Sequence, residues 1–265
     1  MPEIAEVETV RNVLKKQILN KKINDIKVIY NKIIENNINE FKEKLINKRF
    51  IDIKRKGKYL IFETDNNYLI SHLRMEGKYF VKDINDKIDK HEHVIFYFDD
   101  FTLRYHDTRK FGRMKVINHD MLNDYFKNVG PDANSDIEPK IIYEKIKNKK
   151  IPIKKILLDQ SIISGLGNIY ADEVLFHARI NPFRLGSSLL LDDIKNILEA
   201  SKKVIDKAIK CKGTTIRSYT SSLGVKGEYQ KYLMVHTKEK CICNNNIIKE
   251  KLGGRMTYYC SKCQK

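Results

Sequence analysis

The sequence predicts an α+β chain of several domains: a helix leading into a β-rich domain, then a helical domain, then a small cysteine-bearing module. Three observations carry this. Apolar residues alternate at strand period over much of the first 130 residues, and beyond Gly130-Pro131 the period becomes helical. Four of the five cysteines then fall within the last 25 residues, in two close pairs. The domain limits that follow are 1–130, 131–235 and 236–265.

From Glu3 to about Leu19, Val7, Val10 and Leu14 share one helical face. Acidic residues begin this segment and Lys15 and Lys16 end it, as the helix dipole prefers. Strand patterns follow, with Ile26, Val28 and Tyr30 alternating, and likewise Tyr59 and Ile61. Asp65-Asn66-Asn67 reads as a turn, as does Asp99-Asp100 between Val94–Phe98 and Thr102–Tyr105. Helical spacing dominates from Ile137 to Cys211, and Leu189–Ile209 is the longest amphipathic stretch. A Gly- and Ser-bearing segment from Gly213 to Tyr229 reads as a mobile loop.

Composition narrows the partners. With 51 Lys+Arg against 34 Asp+Glu the net charge is +17, which favours a polyanion, although richness in Lys, Ile and Asn also fits an AT-rich genome. The start, MPEIAEVETV, has neither the basic opening nor the apolar core of a signal peptide, and no apolar run is long enough for a membrane span. An odd number of cysteines, crowded at one end, suits a metal cluster rather than disulfides. The expected compartment is the reducing cytoplasm.

Two local motifs carry chemistry. Cys241-Ile242-Cys243, sixteen residues, then Cys260-Ser261-Lys262-Cys263 can supply four thiolates to one tetrahedral Zn2+, one pair from each arm of a β-hairpin. The first pair has a single spacer; with an extended backbone Cys241 and Cys243 point to the same side, so their sulfurs can still converge, and His236 is the reserve ligand. Arg255, between the pairs, would lie near the tip as a phosphate probe. In Asp159–Glu173 a helix ends at a glycine turn and Asn168 is expected to cap the next one. The N–H groups exposed there would form a phosphate site.

Further segments complete an ordered set. The opening Pro2–Arg11 is similar to the start of the formamidopyrimidine-DNA glycosylases. Lys58-Tyr59-Leu60, His72–Gly77, Lys90–Val94, Arg104–Gly112, Gly130-Pro131, Asp159–Glu173 and the cysteine pairs resemble successive motifs of that family, in order from residue 2 to residue 263. The resemblance implies an N-terminal helix with a β-sandwich, a helical helix–two-turn–helix domain and a C-terminal β-hairpin zinc finger. It also implies a DNA glycosylase with AP lyase activity, acting as a monomer on oxidised purines in damaged double-stranded DNA.

Site residues follow from the matching motifs. Pro2 would be the nucleophile once Met1 is removed; an α-amino group has a pKa of about 8, so part of it is neutral in the cell. Glu3 would protonate the opening sugar ring, Lys58 would transfer protons during β-elimination, and Arg255 would serve δ-elimination and hold phosphate. Met75, Arg109 and Phe111 match the residues that fill the gap left by a flipped nucleotide. His72, His91, Lys150 and Asn168 match phosphate-holding positions, and the loop from Gly213 to Tyr229 matches the segment over the flipped base. Ala5 stands where a second proline is usual, and His236 where a tyrosine is common. The nearest alternative is an endonuclease VIII-type glycosylase for oxidised pyrimidines. The Glu6–Val10 string and the Met75, Arg109 and Phe111 set favour the purine enzyme. A non-catalytic DNA-binding protein is disfavoured by the intact Pro2-Glu3 pair.

Overall fold

Helix α1 (Ile4–Ile18) forms because Val7, Val10, Leu14 and Ile18 recur every three or four residues, and all four are buried. Glu6 lies in its first turn, with Lys15 and Lys16 in its last. The computed structural model describes residues 1–214 and 226–265, which form two compact units. The first contains Met1–Pro2 and Glu6–Lys127; the second contains Glu3–Ala5, Asn128–Thr214 and Glu228–Lys265. Most of the expected Gly213–Tyr229 loop lies outside the described residues.

Eight strands build the first unit: β1 (Asp25–Val28), β2 (Asp52–Lys56), β3 (Tyr59–Glu63), β4 (Asn67–His72), β5 (Lys78–Asp83), β6 (Glu92–Tyr97), β7 (Phe101–His106) and β8 (Arg113–Asn118). They pair antiparallel in two four-stranded sheets, ordered β1-β6-β7-β5 and β2-β3-β4-β8. Alternate apolar residues of both sheets, such as Phe62 and Leu69 against Tyr79, Phe96 and Leu103, share one buried core. The Phe62 and Tyr79 rings meet edge-on with centroids 5.6 Å apart. This is a β-sandwich. The expected turns at Asp65–Asn67 and Asp99-Asp100 fall between β3 and β4 and between β6 and β7.

The expectation of a single helix in this region was incomplete. A second helix, α2 (Ile38–Leu45), starts where the Asn37 side chain accepts the Asn39 N–H and buries Phe41 and Leu45 at i,i+4 spacing. A third, α3 (Leu122–Phe126), is a single turn beyond β8. Both are too short for periodicity to distinguish them from loop.

The second unit holds α4 (Pro139–Ile146), α5 (Ile153–Leu157), α6 (Asn168–His177), α7 (Leu191–Lys210) and the hairpin β9 (Ile248–Leu252) to β10 (Arg255–Tyr259). Helix α7 buries one stripe that includes Ile194, Ile197, Leu198, Val204 and Ile205. Helix α6 is buried almost all round, Asp172 and Glu173 included, and so shows no amphipathic signature. No helix among the described residues is long and apolar enough to cross a membrane.

Candidate functional site

Within the sandwich, Tyr59 pairs with His72 and His72 with Arg113, while in the other sheet Lys78 pairs with His106. The β2–β3 turn at Gly57-Lys58, segment 73–77 and segment 107–112 therefore leave the strands at corresponding ends. Asp107, fully buried, organises the last of these. Its carboxylate accepts the backbone N–H groups of Arg109 at 3.0 Å, Phe111 at 2.9 Å and Gly112 at 2.8 Å. Three N–H donors on one carboxylate satisfy a buried charge and fix the loop.

The same loop is locked to its neighbour. A Cβ on Gly77 or Gly112 would sit 2.2 or 1.7 Å from the Tyr105 hydroxyl, so that buried hydroxyl fills the space both glycines vacate. Thr108 Oγ1 donates to Glu76, tying segment 73–77 to segment 107–112. Arg74 and Lys110 hold left-handed φ of 53° and 58°, strain that the surrounding bonds maintain. The product is two rigid loops with apolar tips: Met75 is 37% exposed and Phe111 48% exposed. The Arg109 guanidinium lies 4.8 Å from the Phe111 ring centre.

Lys58 is buried in its two-residue turn beside Gly57, whose φ is 54°. Arg55 braces that turn, donating to the Gly57 carbonyl at 3.0 Å and to Glu8 on α1 at 2.8 Å. Pro2 is buried as well. His72 accepts the Arg74 N–H on Nδ1 at 3.0 Å and meets Tyr59 edge-on. Burial, and then the charges of Arg74 and Lys58, push its pKa down to about 3, so the neutral ring keeps a proton on Nε2. His91 is tied through its backbone to Asp89 and Asp107, and its Nδ1 is buried without a partner among the described residues.

In the second unit the expected cap is corrected. Asn168 is the first residue of α6, Gly167 is the N-cap, and the capping group comes from Glu3. The Glu3 carboxylate accepts N–H groups of Gly167 at 2.6 Å, Ile169 at 3.0 Å and Tyr170 at 3.3 Å. A helix N-terminus attracts an anion, and a buried carboxylate of the chain itself occupies the position expected for a phosphate. A Cβ on Gly167 would lie 2.3 Å from Glu3 Cδ, and one on Gly165, with φ of 101°, 2.7 Å from Ile4. The glycines of this turn are the imprint of Glu3 and Ile4.

The Asn168 side chain donates to the Met256 carbonyl at 2.9 Å. Buried Lys154 reaches the same carbonyl at 3.2 Å and Thr257 Oγ1 at 3.0 Å, and it pairs with Asp172 at 2.7 Å. These bonds hold the start of β10, where Arg255 stands exposed beside Gly253 and Gly254. Glu3, Asn168 and Arg255 are thus linked by short bonded paths. Lys150 is exposed ahead of α5 and shares no bond with them among the described residues.

The four sulfurs of Cys241, Cys243, Cys260 and Cys263 lie within 4.8 Å of one another. Cys241 to Cys263 is 3.8 Å and Cys243 to Cys260 is 3.6 Å. Thiolates about 2.3 Å from a tetrahedral zinc stand roughly 3.8 Å apart, so the donor set fits such an ion. The Lys262 and Cys263 N–H groups support the Cys260 sulfur, and the Cys243 N–H supports Cys241. The short first pair therefore keeps part of its knuckle. His236 is not in the cluster: its Nδ1 is 2.8 Å from Asp172 and its ring lies against Tyr258, so a reserve-ligand role does not fit.

Comparison with known proteins is consistent along the whole chain. Residues 1–114 match the family model of the formamidopyrimidine-DNA glycosylase N-terminal domain, and residues 129–220 that of the H2TH domain. Formamidopyrimidine-DNA glycosylase of Mycoplasma genitalium is 43% identical, covering 100% of this chain and 96% of its own, and that of Ligilactobacillus salivarius is 44% identical, covering 100% and 99%. A solved complex of Lactococcus lactis Fpg with abasic-site DNA superposes with TM-score 0.94 at 41% identity, covering 99% of each chain. The chain belongs to the formamidopyrimidine-DNA glycosylase family. A complex of a Lactococcus lactis Fpg mutant with Fapy-dG-containing DNA gives TM-score 0.95 at 40% identity over both full chains.

Sequence reasoning on this glycosylase family member missed the residues that hold the site together. Asp107, Tyr105, Lys154 and Asp172 act on groups that their own motifs do not reveal. Glu173 belongs with them. Its carboxylate accepts the N–H groups of Met234, Val235 and His236 at 2.8–3.0 Å, positioning the segment before the cysteines, and burial pushes its pKa up. The one available signal was adjacent carboxylates, Asp172-Glu173, in an otherwise apolar helix.

Proposed function

We propose that the protein excises oxidised purines, 8-oxoguanine and formamidopyrimidines, from duplex DNA and then cleaves the strand as an AP lyase. The observation that carries this is the display of Met75, Arg109 and Phe111 on two locked loops, with apolar tips left in water. A glycosylase must turn the damaged nucleotide out of the stack and fill the gap. Met75 and Phe111 serve as wedges between base steps, and Arg109 meets the partner base left behind.

The chemistry runs through the amino terminus. With Met1 removed, Pro2 is a secondary amine whose lone pair attacks C1′ while the bond to the base breaks. The base leaves with the electron pair and takes up a proton. Glu3, next to that amine and fixed by three N–H donors, protonates the ring oxygen as the sugar opens to an iminium. The iminium acidifies the adjacent sugar carbon. Lys58 takes part in the proton transfer that expels the 3′ phosphate, and Arg255 serves the second elimination and holds phosphate. His72, His91, Lys150 and Asn168 hold the backbone, His72 donating from its Nε2–H.

Cys241, Cys243, Cys260 and Cys263 hold a structural Zn2+ that takes no part in the reaction and stiffens the hairpin carrying Arg255. The protein acts as a monomer in the bacterial cytoplasm. Borohydride reduction in the presence of 8-oxoguanine duplex tests the reading: a covalent adduct at Pro2 is expected, weakened by Pro2→Gly and abolished when Met1 is retained. An adduct at normal yield on a chain that keeps Met1 would refute the assignment.

A further inference from the structure

A cavity of about 590 Å³ lies in the second unit between the end of α6, one face of α7 and segment 229–234. Its volume is within the roughly 300–1,000 Å³ of small-molecule sites. Asn168 begins α6 and His177, which lines the cavity, ends it, so the two stand ~13 Å apart along the helix axis.

The lining combines an apolar floor, including Ala200, Val204 and Met234, with a rim of Arg179, Lys203, Lys207 and Lys231. Lys231 is neutralised by Glu228 at 2.8 Å. Arg179, Lys203 and Lys207 pair with no carboxylate among the described residues, and residues 215–225 contain no Asp or Glu to supply one. Glu199 is the one acidic residue of the lining. Lys203 and Lys207 stand four apart on α7, a like-charge spacing that weakens a helix unless an anion bridges it. Burial first, and then the charges of Lys207 and Lys203, disfavour the protonated form of His177. Tyr232 is 44% exposed, and the Lys207 ammonium lies 3.7 Å from its ring centre.

Cations that lack a carboxylate partner around an apolar floor select an anion with a hydrophobic body, and a half-exposed aromatic face selects a flat ring. We propose that this cavity is a second ligand site that takes a nucleotide, its phosphate on Arg179, Lys203 and Lys207 and its base on Tyr232. The base would take the place of the Lys207 ammonium over the ring, and that ammonium would turn to the phosphate. An acidic peptide would satisfy the cations but would leave the Tyr232 face without a matching partner.

The test uses the full-length, zinc-loaded protein and the His177 ring signals in NMR. Titration with AMP should shift them saturably and raise the His177 titration midpoint, with adenosine producing no shift. Lys203→Gln combined with Lys207→Gln, both at exposed helix positions, should weaken AMP binding at least about tenfold, with excision from a short duplex unchanged. Tyr232→Ala should weaken AMP and leave inorganic phosphate binding as it was. A six-residue oligothymidylate run in parallel identifies the source: tighter binding than AMP means a nucleotide within a strand, weaker binding a free one. No shift at millimolar AMP, equal AMP affinity in the double variant, or tighter binding of a hexaglutamate peptide would each overturn the proposal.

Discussion

Phe111 donates its backbone N–H to the Asp107 carboxylate at 2.9 Å, and this bond keeps a half-exposed aromatic ring at the tip of a rigid loop. A hydrophobic residue held in water at such cost to local freedom has its return elsewhere. In the proposed reaction the return comes when the ring enters the base stack.

Phe111→Ala is therefore expected to lower 8-oxoguanine excision by about 10- to 100-fold while changing affinity for undamaged duplex little, because the lost apolar contacts exist only with the base flipped. Asp107→Asn should produce the same loss of excision and also lower stability by roughly 2–3 kcal/mol, since an amide cannot accept all three N–H groups. Single-turnover excision and duplex binding measured side by side decide the matter. Equal losses on lesion and undamaged DNA would make Phe111 a general support.

Gly167→Ala should be severe for a small change. The added methyl would lie 2.3 Å from Glu3 Cδ, and relief requires Glu3 to leave the α6 N-terminus. The expected outcome is a stability loss of about 1–3 kcal/mol together with a borohydride adduct yield reduced at least tenfold. Urea melts and trapping on the same preparation test both parts. Normal trapping by a destabilised variant would separate the cap from the catalysis.

His72 gives a pH signature. Its pKa is depressed to about 3 in the folded protein, mainly by burial, against about 6.5 for an unperturbed imidazole. The unfolded state then binds more protons between these values. The contribution of His72 to stability is complete above pH 6.5 and declines as pH falls through that window. Unfolding free energies between pH 7 and 4 should decline more steeply in the parent than in His72→Gln. Parallel profiles would exclude His72 as a source of acid sensitivity.

One zinc per chain is expected, lost in Cys241→Ser and retained in His236→Ala, because the four sulfurs converge while His236 is engaged by Asp172. Metal analysis of the two variants is sufficient. Retention of full zinc by Cys241→Ser would mean that three thiolates and another donor make the site.

Some of this was legible locally. The spacing of Val7, Val10 and Leu14 sufficed for α1, and two cysteine pairs sixteen residues apart sufficed for the metal cluster, since each signal lies within one helix or one hairpin. Met75, Arg109 and Phe111 were readable as site candidates by resemblance, but by composition alone two of them would have been placed in a core.

Tertiary structure decided the rest. It placed Glu3 on the N-terminus of a helix 164 positions away, overriding the local expectation that Asn168 would cap it. It also joined Lys154, Asp172 and His236, and set the Tyr105 hydroxyl between two glycines. The physical reason is range. Periodicity and spacing report what one turn or one strand does to itself, whereas a buried carboxylate takes whichever N–H groups the folded chain brings within about 3 Å.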